Sequence, residues 1–225
     1  SIIGLTYCQE QVIEEIFEVH NNGFAPTSIA RRCQININED LPSIQPLYIQ
    51  PNTNRFFHPS NPNGILELIE NQDIELFCSS GFASPGVASN NAIKVTCMND
   101  KVFKFKNVLY NFNEFSCRSW PISIARKRLP VTRCFNQGVM VDIGFEVQNR
   151  FLKVFSSCHD PKKELNYYTV YQLTVASDGQ ERNVVRPAWR QGDFFPGKNV
   201  DLLHTRNNQR NTIATTLKSP LTASE

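Results

Sequence analysis

The sequence predicts an α+β protein that is rich in β-structure and built mainly from antiparallel sheet. Apolar residues alternate with polar ones along several short segments, turn residues separate these segments, and helical character is confined to two stretches. The 225 residues suffice for one large domain or two small ones with a sizeable core. No apolar run approaches the roughly 18 residues that a membrane span requires, so no membrane partner is expected.

The first half, residues 1–125, is predicted to be an N-terminal β-rich region that contains most of the cysteines. It begins with a candidate helix over residues 9–20 and continues into a Pro- and Asn-rich surface loop over residues 42–62. Residues 64–78 break at a turn into two short strands, and residues 93–97 form a third.

The second half, residues 126–225, is predicted to contain an antiparallel meander. Apolar side chains alternate over residues 139–147, which indicates a strand with one buried face. Residues 151–155 and 167–175 supply the next two strands after short connections. A polar stretch over residues 200–217 is predicted to be helical.

Charge divides the chain in the same place. Residues 1–125 contain 8 Lys/Arg and 12 Asp/Glu, whereas residues 126–225 contain 15 and 9. This asymmetry favours a basic functional face in the second half, directed at an anionic partner such as phosphate. Chance scatter of solvated surface charge is the alternative interpretation.

Seven cysteines stand well apart, with no CxxC pair of the kind that zinc or redox sites use. Disulfides in an oxidising, extracellular compartment are therefore expected, and a chain that opens with Ser1 rather than a charged and apolar leader fits a mature secreted protein or a trimmed one. The odd number leaves at least one thiol that is free or bonded to another polypeptide. The disulfide candidates are Cys8, Cys33, Cys78, Cys97, Cys117, Cys134 and Cys158.

Common catalytic motifs are missing from the sequence. Its four histidines form no HExxH pattern, and GxSxG, P-loop and GxGxxG motifs do not occur. The adjacent pair Cys158 and His159 is interpreted as a disulfide cysteine beside a surface histidine, because neighbours on a strand point to opposite faces. The run Arg126, Lys127 and Arg128 is interpreted as a solvated loop between domains, with a processing site or a phosphate contact as alternatives.

Arg186 is the strongest single candidate for a functional residue. It precedes Pro187 at the predicted exit of a strand into a loop, and a rigidly held arginine suits bidentate contact with a phosphate. Ordinary loops also contain Arg-Pro, so this signal acquires meaning only from its surroundings.

The segments of sequence around Arg186 resemble those of a known protein family. Residues 151–160 (FLKVFSSCHD), the strand over 168–175, residues 186–189 (RPAW), and residues 201–204 (DLLH) followed by Gln209 are similar to the opening portion of DNA/RNA non-specific endonucleases. These enzymes form the ββα-metal group that includes endonuclease G. Residues 64–68 and 74–78 resemble the extra N-terminal region of its secreted arthropod branch.

The resemblance implies that residues 126–225 form the first part of a ββα-metal nuclease core and that the whole protein hydrolyses DNA and RNA with Mg²⁺. It assigns Arg186 to the catalytic phosphate contact. Nonspecific phosphate contacts are then expected from Arg190, Lys198, Arg206 and Arg210. The family's Asp-Arg-Gly-His motif, which supplies the general base, and its later metal-binding asparagine are not in this sequence. The resemblance therefore places the base and the Mg²⁺ ligands on a C-terminal part, without which this chain is expected to be inactive.

Three interpretations of that departure remain open. In the first, the chain is a proteolytic product that stays associated with a C-terminal chain, for which a disulfide through Cys158 is a candidate link. In the second, it is a fragment of the protein. In the third, it is a nuclease relative without catalysis that binds nucleic acid, another polyanion or a protein.

Overall fold

The computed structural model of the chain describes residues 31–84, 86–173 and 192–217. Eleven strands and two helices are described, and the strands pair in antiparallel sheets. The strands are β1 (Arg32–Asn36), β2 (Leu47–Ile49), β3 (Ile65–Ile69), β4 (Asp73–Phe77), β5 (Ala92–Asn99), β6 (Val102–Phe105), β7 (Val108–Asn111), β8 (Ile124–Lys127), β9 (Val139–Val147), β10 (Arg150–Asp160) and β11 (Leu165–Tyr171). The helices are α1 (Val200–Leu203) and α2 (Arg206–Leu217). The expected β-rich, antiparallel character is confirmed.

The N-terminal unit consists of two sheets around one apolar core. Strands β1 and β3 form a two-stranded sheet, and a five-stranded sheet has the order β2-β4-β5-β6-β7. Alternate residues of β1, β3, β4 and β5 point into the shared core, as the period of two requires. Two buried disulfides, Cys33–Cys97 and Cys78–Cys117, cross-link this core.

The two strands predicted within residues 64–78 are confirmed, but they do not pair with each other. Between them the chain turns at Asn71, which has a left-handed φ of 67°. Strand β3 then pairs with β1, whereas β4 pairs with β2 and β5. The turn therefore moves the chain from one sheet to the other across the core. The prediction that residues 42–62 form only a loop is wrong, because β2 lies within them and closes the edge of the larger sheet.

The C-terminal sheet has the order β11-β10-β9-β8. Its strands β9, β10 and β11 form the predicted meander, and β9 covers the predicted residues 139–147. Strand β10 extends to Asp160, well beyond the predicted end at residue 155, while β11 ends at Tyr171. The predicted domain boundary at residue 125 falls inside β8, which belongs to this second sheet.

A small apolar cluster joins the two units. Ile49 and Phe77 of the N-terminal unit pack with Val147 and Leu152 of the C-terminal sheet. Beside the cluster, Arg150 forms an ion pair with Glu75 and donates from Nη1 to the Thr53 carbonyl at 2.6 Å. One face of the C-terminal sheet is therefore occupied at this end by the N-terminal unit.

The polar stretch predicted to be helical forms two helices separated by a break at His204. Asn199 caps α1 by accepting a hydrogen bond at Oδ1 from the Leu202 N–H at 2.9 Å. Neither helix buries a residue. Among the described residues, no helix is both long and apolar enough to cross a bilayer. The helix predicted over residues 9–20 lies outside the described residues.

Candidate nucleic-acid interface

The register of the C-terminal sheet divides its side chains between two faces. Side chains directly opposite each other on neighbouring strands share a face. Asp142 lies opposite Arg126 on one side and Ser156 on the other, and Ser156 lies opposite Val170. Gly144, on the same face as Asp142, lies opposite Lys153. We call this surface the basic sheet face, and its exposed or half-buried members are Ile124, Arg126, Arg128, Glu146, Phe151, Lys153, Tyr168 and Val170.

The centre of the basic sheet face is an ion pair between Arg128 and Asp142. Ser156, which is almost fully buried, accepts a hydrogen bond from Arg128 Nη2 at 2.8 Å and donates to Asp142 Oδ1 at 2.7 Å. Burial opposes ionisation of Asp142, but the hydrogen bonds from Arg128 and Ser156 outweigh it and hold the pKa of this carboxyl below its ordinary value. Asp142 is thus ionised and compensated at neutral pH.

The cations around this pair are available to a ligand. Arg126 and Lys153 are exposed, and no Asp or Glu of the described residues forms an ion pair with either of them. The Arg126 guanidinium lies over the Phe151 ring, with its carbon 3.7 Å from the ring centroid. This cation–π contact leaves the outer side of a flat cation facing solvent.

Tyr168 adds an aromatic surface to the same face. Its side chain reaches toward β9, where its hydroxyl lies 4.0 Å from Met140 Sδ, and the residue is 44% exposed. Exposed rings next to unpaired cations are the combination with which proteins bind nucleic acid, because rings stack on bases while cations contact phosphates. The basic sheet face therefore presents exposed cations and an exposed ring on one surface.

Those predicted phosphate contacts that the structure describes lie outside the basic sheet face. Lys198 forms an ion pair with Glu164, which compensates its charge. Arg206 and Arg210 lie one turn apart on α2, so they share a side of that helix. Arg186 and Arg190 lie outside the described residues. None of the described three belongs to the basic sheet face.

The disulfide prediction is confirmed for six cysteines. Cys134 bonds to Cys158 and fixes the loop between β8 and β9 to β10, while the other four pair within the N-terminal unit. The proposed intermolecular link through Cys158 is therefore wrong, because its sulfur is used within the chain. Cys8 lies outside the described residues.

His159 occupies the opposite face of the sheet and is buried, at 2% exposure, so its interpretation as a surface histidine is wrong. The rings of Phe194 and Phe195 cover it edge-on, each with its centroid 5.4 Å from the imidazole. Its Nδ1 hydrogen-bonds Asn166 Oδ1 at 3.0 Å, and within the described residues its Nε2 has no partner. This histidine holds residues 194–195 against the sheet.

The described residues do not fit a Mg²⁺ site. In the part of the chain that the structure describes, no three His, Cys, Asp or Glu side chains converge so as to hold a metal ion. Asp160, the residue after His159, already accepts hydrogen bonds from the Tyr167 hydroxyl at 2.6 Å and from the backbone N–H groups of Lys162 and Lys163. No step of a reaction is therefore derived through a metal on these residues.

Sequence reasoning missed most of the basic sheet face. The run at Arg126 and Lys127 was interpreted as a loop between domains, and that interpretation is wrong because both residues belong to β8. Lys153, Phe151 and Tyr168 carried no signal beyond their strands. A detectable signal was the alternation Ile124, Arg126, Arg128, which places two cations on one side of a short strand.

Comparisons with protein-family models, curated proteins and solved structures found no match to this chain.

Proposed function

We propose that this chain is the nucleic-acid-contacting part of a secreted, metal-dependent, non-specific nuclease. The observation that carries the proposal is the basic sheet face, where Arg126 and Lys153 form no ion pair with an acid of the described residues and Tyr168 is exposed on the same face. The three disulfides support an oxidising compartment.

Binding at this face is expected to be loose in sequence. Arginine and lysine contacts to phosphates position a nucleic acid without reading its bases, and stacking on a ring tolerates any base. Within the chain, the Arg128 and Asp142 pair ties the end of the edge strand β8 to β9, so the cations are presented with little reorganisation. This is the contact pattern that a non-specific nuclease requires.

The general base and Mg²⁺ ligands are assigned by this proposal to a C-terminal part, since the described residues do not fit a metal site. A partner of this kind has a place to pair. Strand β11 is the edge of its sheet, and Val170 and Tyr171 are exposed on it. An exposed edge strand with apolar side chains is suited to receive a further strand. A disulfide to that partner would use Cys8, because the other six cysteines are paired.

A second function has one observation in its favour. Because no metal-ligand group is found among the described residues, binding of nucleic acid or another polyanion without cleavage also agrees with the geometry. The two functions share the basic sheet face and differ only in whether a phosphodiester bond is broken.

One experiment separates them. The purified chain, alone and with the C-terminal part of its encoded protein if the gene continues, is incubated with plasmid and Mg²⁺ with and without EDTA. Binding to labelled oligonucleotides is measured in parallel over a range of salt. We expect salt-sensitive binding by the chain alone and EDTA-sensitive cleavage only with the second part. Binding without cleavage in both preparations would leave the polyanion-binding function, and no salt-sensitive binding would overturn both.

A further inference from the structure

The segment that contains β8 shares Ile124, Arg126 and Arg128 with the basic sheet face, but its remaining exposed residues are not explained by nucleic-acid binding. Residues 120–135 contain four Lys/Arg and no Asp/Glu. The same segment carries a concentration of exposed large apolar side chains, and we call it the β8 edge. These side chains are Trp120, Ile122, Ile124, Leu129, Val131 and Phe135. Leu129 and Val131 lie together just after β8 and are the most exposed of the six, and grouped exposed apolar side chains mark interaction sites.

The tip of the β8 edge protrudes because the chain loops out of the sheet. Arg128 N–H donates to the Met140 carbonyl at 2.9 Å, and Met140 N–H donates to the Thr132 carbonyl at 2.9 Å. In a regular ladder one residue would make both bonds. Here residue 128 donates one of the two bonds and residue 132 accepts the other, so residues 129–131 bulge out from the edge of the sheet. Leu129 is consequently 79% exposed and Val131 60% exposed.

The protrusion is held in place. Thr132 Oγ1 donates to the Pro130 carbonyl at 3.1 Å, and the Cys134–Cys158 disulfide fixes the following residues to β10. A rigid tip loses little conformational freedom when it docks, so its apolar side chains contribute fully to binding.

Cations surround the apolar tip. Lys127 and Arg133 are exposed on either side of it, and no carboxylate lies within residues 120–135. Aliphatic side chains form no ion pair or hydrogen bond with a phosphate backbone, so the phosphate contacts proposed for the basic sheet face do not account for the tip. A symmetric contact between two copies would bring the same cations together without a compensating acid. A convex apolar tip with flanking cations is instead the pattern of a peripheral contact with an anionic bilayer.

We propose that the β8 edge docks the protein on anionic lipid surfaces, with Leu129 and Val131 entering the boundary between headgroups and acyl chains while Lys127 and Arg133 contact the headgroups. This goes beyond the expectation of no membrane partner, which addressed only segments that span a bilayer. A peripheral contact requires a few exposed apolar side chains and cations rather than a long apolar run.

The test is flotation of the protein with vesicles of phosphatidylcholine alone and of phosphatidylcholine mixed with phosphatidylserine. We expect binding to the mixed vesicles that weakens with salt. The double variant Leu129→Ser/Val131→Ser is expected to lose roughly tenfold or more in affinity. The double variant Lys127→Gln/Arg133→Gln is expected to lose the preference for phosphatidylserine.

The matched control is Val108→Ser/Leu109→Ser. These β7 residues are 52% and 59% exposed on the edge of the other large sheet, so the same chemistry is changed away from the β8 edge. Equal losses in both double variants would overturn the proposal. Absence of binding to the mixed vesicles would also overturn the proposal. So would self-association, or binding to an acidic protein, that depends on Leu129 and Val131 in place of vesicle binding. Near-UV circular dichroism and unchanged nucleic-acid binding confirm that the tip variant is folded.

Discussion

The guanidinium of Arg128 donates hydrogen bonds to both carboxylate oxygens of Asp142 across the β8–β9 pairing. Its Nε lies 3.2 Å from Oδ1 and 3.2 Å from Oδ2, and its Nη2 lies 2.8 Å from Oδ1. The carboxylate is nearly buried, while the guanidinium remains partly open to solvent on the basic sheet face. The pair therefore serves two purposes, because it allows a charged residue within the sheet and rigidifies the surface from which the neighbouring cations project.

Removing the arginine is expected to destabilise the protein. Arg128→Ala leaves Asp142 nearly buried with Ser156 as its remaining close donor, so we expect a loss of about 2 kcal/mol in the free energy of unfolding. Urea denaturation at neutral pH measures this loss. Arg126→Ala, an exposed cation on the same face, is the control and is expected to cost about 0.5–1 kcal/mol. Equal effects of the two substitutions would show that the ion pair adds nothing specific.

The same pair predicts a pH dependence. The pKa of Asp142 is lowered in the folded protein, so folding is favoured by its ionisation. The stabilisation is complete above the unfolded pKa of about 3.9 and is lost as the pH falls through the lower folded value. We expect the stability difference between the natural protein and Asp142→Asn to be constant from about pH 6 to pH 5 and to shrink below about pH 4. A difference that grows on acidification would contradict this assignment.

The sequence predicted local structure well where periodicity is local. The alternation over residues 139–147 gave the bounds of β9, but it predicted one buried face, whereas Met140 and Asp142 on the other face are also buried. The reason is tertiary, since the loop tied down by Cys134 and the side chain of Arg128 cover this end of the face. Periodicity carries no information about such a cover.

Pairing partners were beyond the reach of the sequence for a similar reason. Nothing in residues 64–78 indicates that β3 and β4 belong to different sheets, because sheet assignment depends on strands that are distant in the chain. The cysteine spacings predicted disulfides but no connectivity, and the intermolecular role given to Cys158 failed because its partner, Cys134, lies on a loop that no motif marks. The basic sheet face likewise exists only after four strands are placed side by side.

Gly144 is expected to be the least replaceable glycine of the C-terminal sheet. A Cβ at this position would lie 2.0 Å from the carbonyl oxygen of Leu152, and a backbone atom of a central strand has no room to move. We expect Gly144→Ala to cost roughly 3 kcal/mol or more, measured by urea denaturation. The control is Gly197→Ala, where no atom lies within 4 Å but φ is 72°, so a cost of about 1 kcal/mol is expected. Comparable losses would refute the role given to the close strand contact.

The Cys134–Cys158 disulfide closes a loop with a sequence separation of 24 residues and anchors the chain just after the protruding tip. The double variant Cys134→Ser/Cys158→Ser is expected to lose about 3 kcal/mol through the added entropy of the unfolded chain. Non-reducing peptide mapping of the natural protein is expected to recover a peptide joining these two residues. A map with Cys158 bonded to another polypeptide would restore the intermolecular link that the structure contradicts.

The basic sheet face gives the sharpest test of the proposed function. Lys153→Gln removes one exposed cation that forms no ion pair within the described residues, so the slope of log K against log salt for duplex DNA is expected to become shallower by about 0.9. Tyr168→Ala is expected to weaken single-stranded binding by about 1–3 kcal/mol, whereas Tyr168→Phe retains the ring and the affinity. The matched control is Lys94→Gln, because this lysine is exposed on the N-terminal unit and paired with Asp73 at 3.1 Å. Fluorescence anisotropy across a salt series measures all four variants, and an equal change in slope for Lys94→Gln would show that net charge rather than this face governs binding.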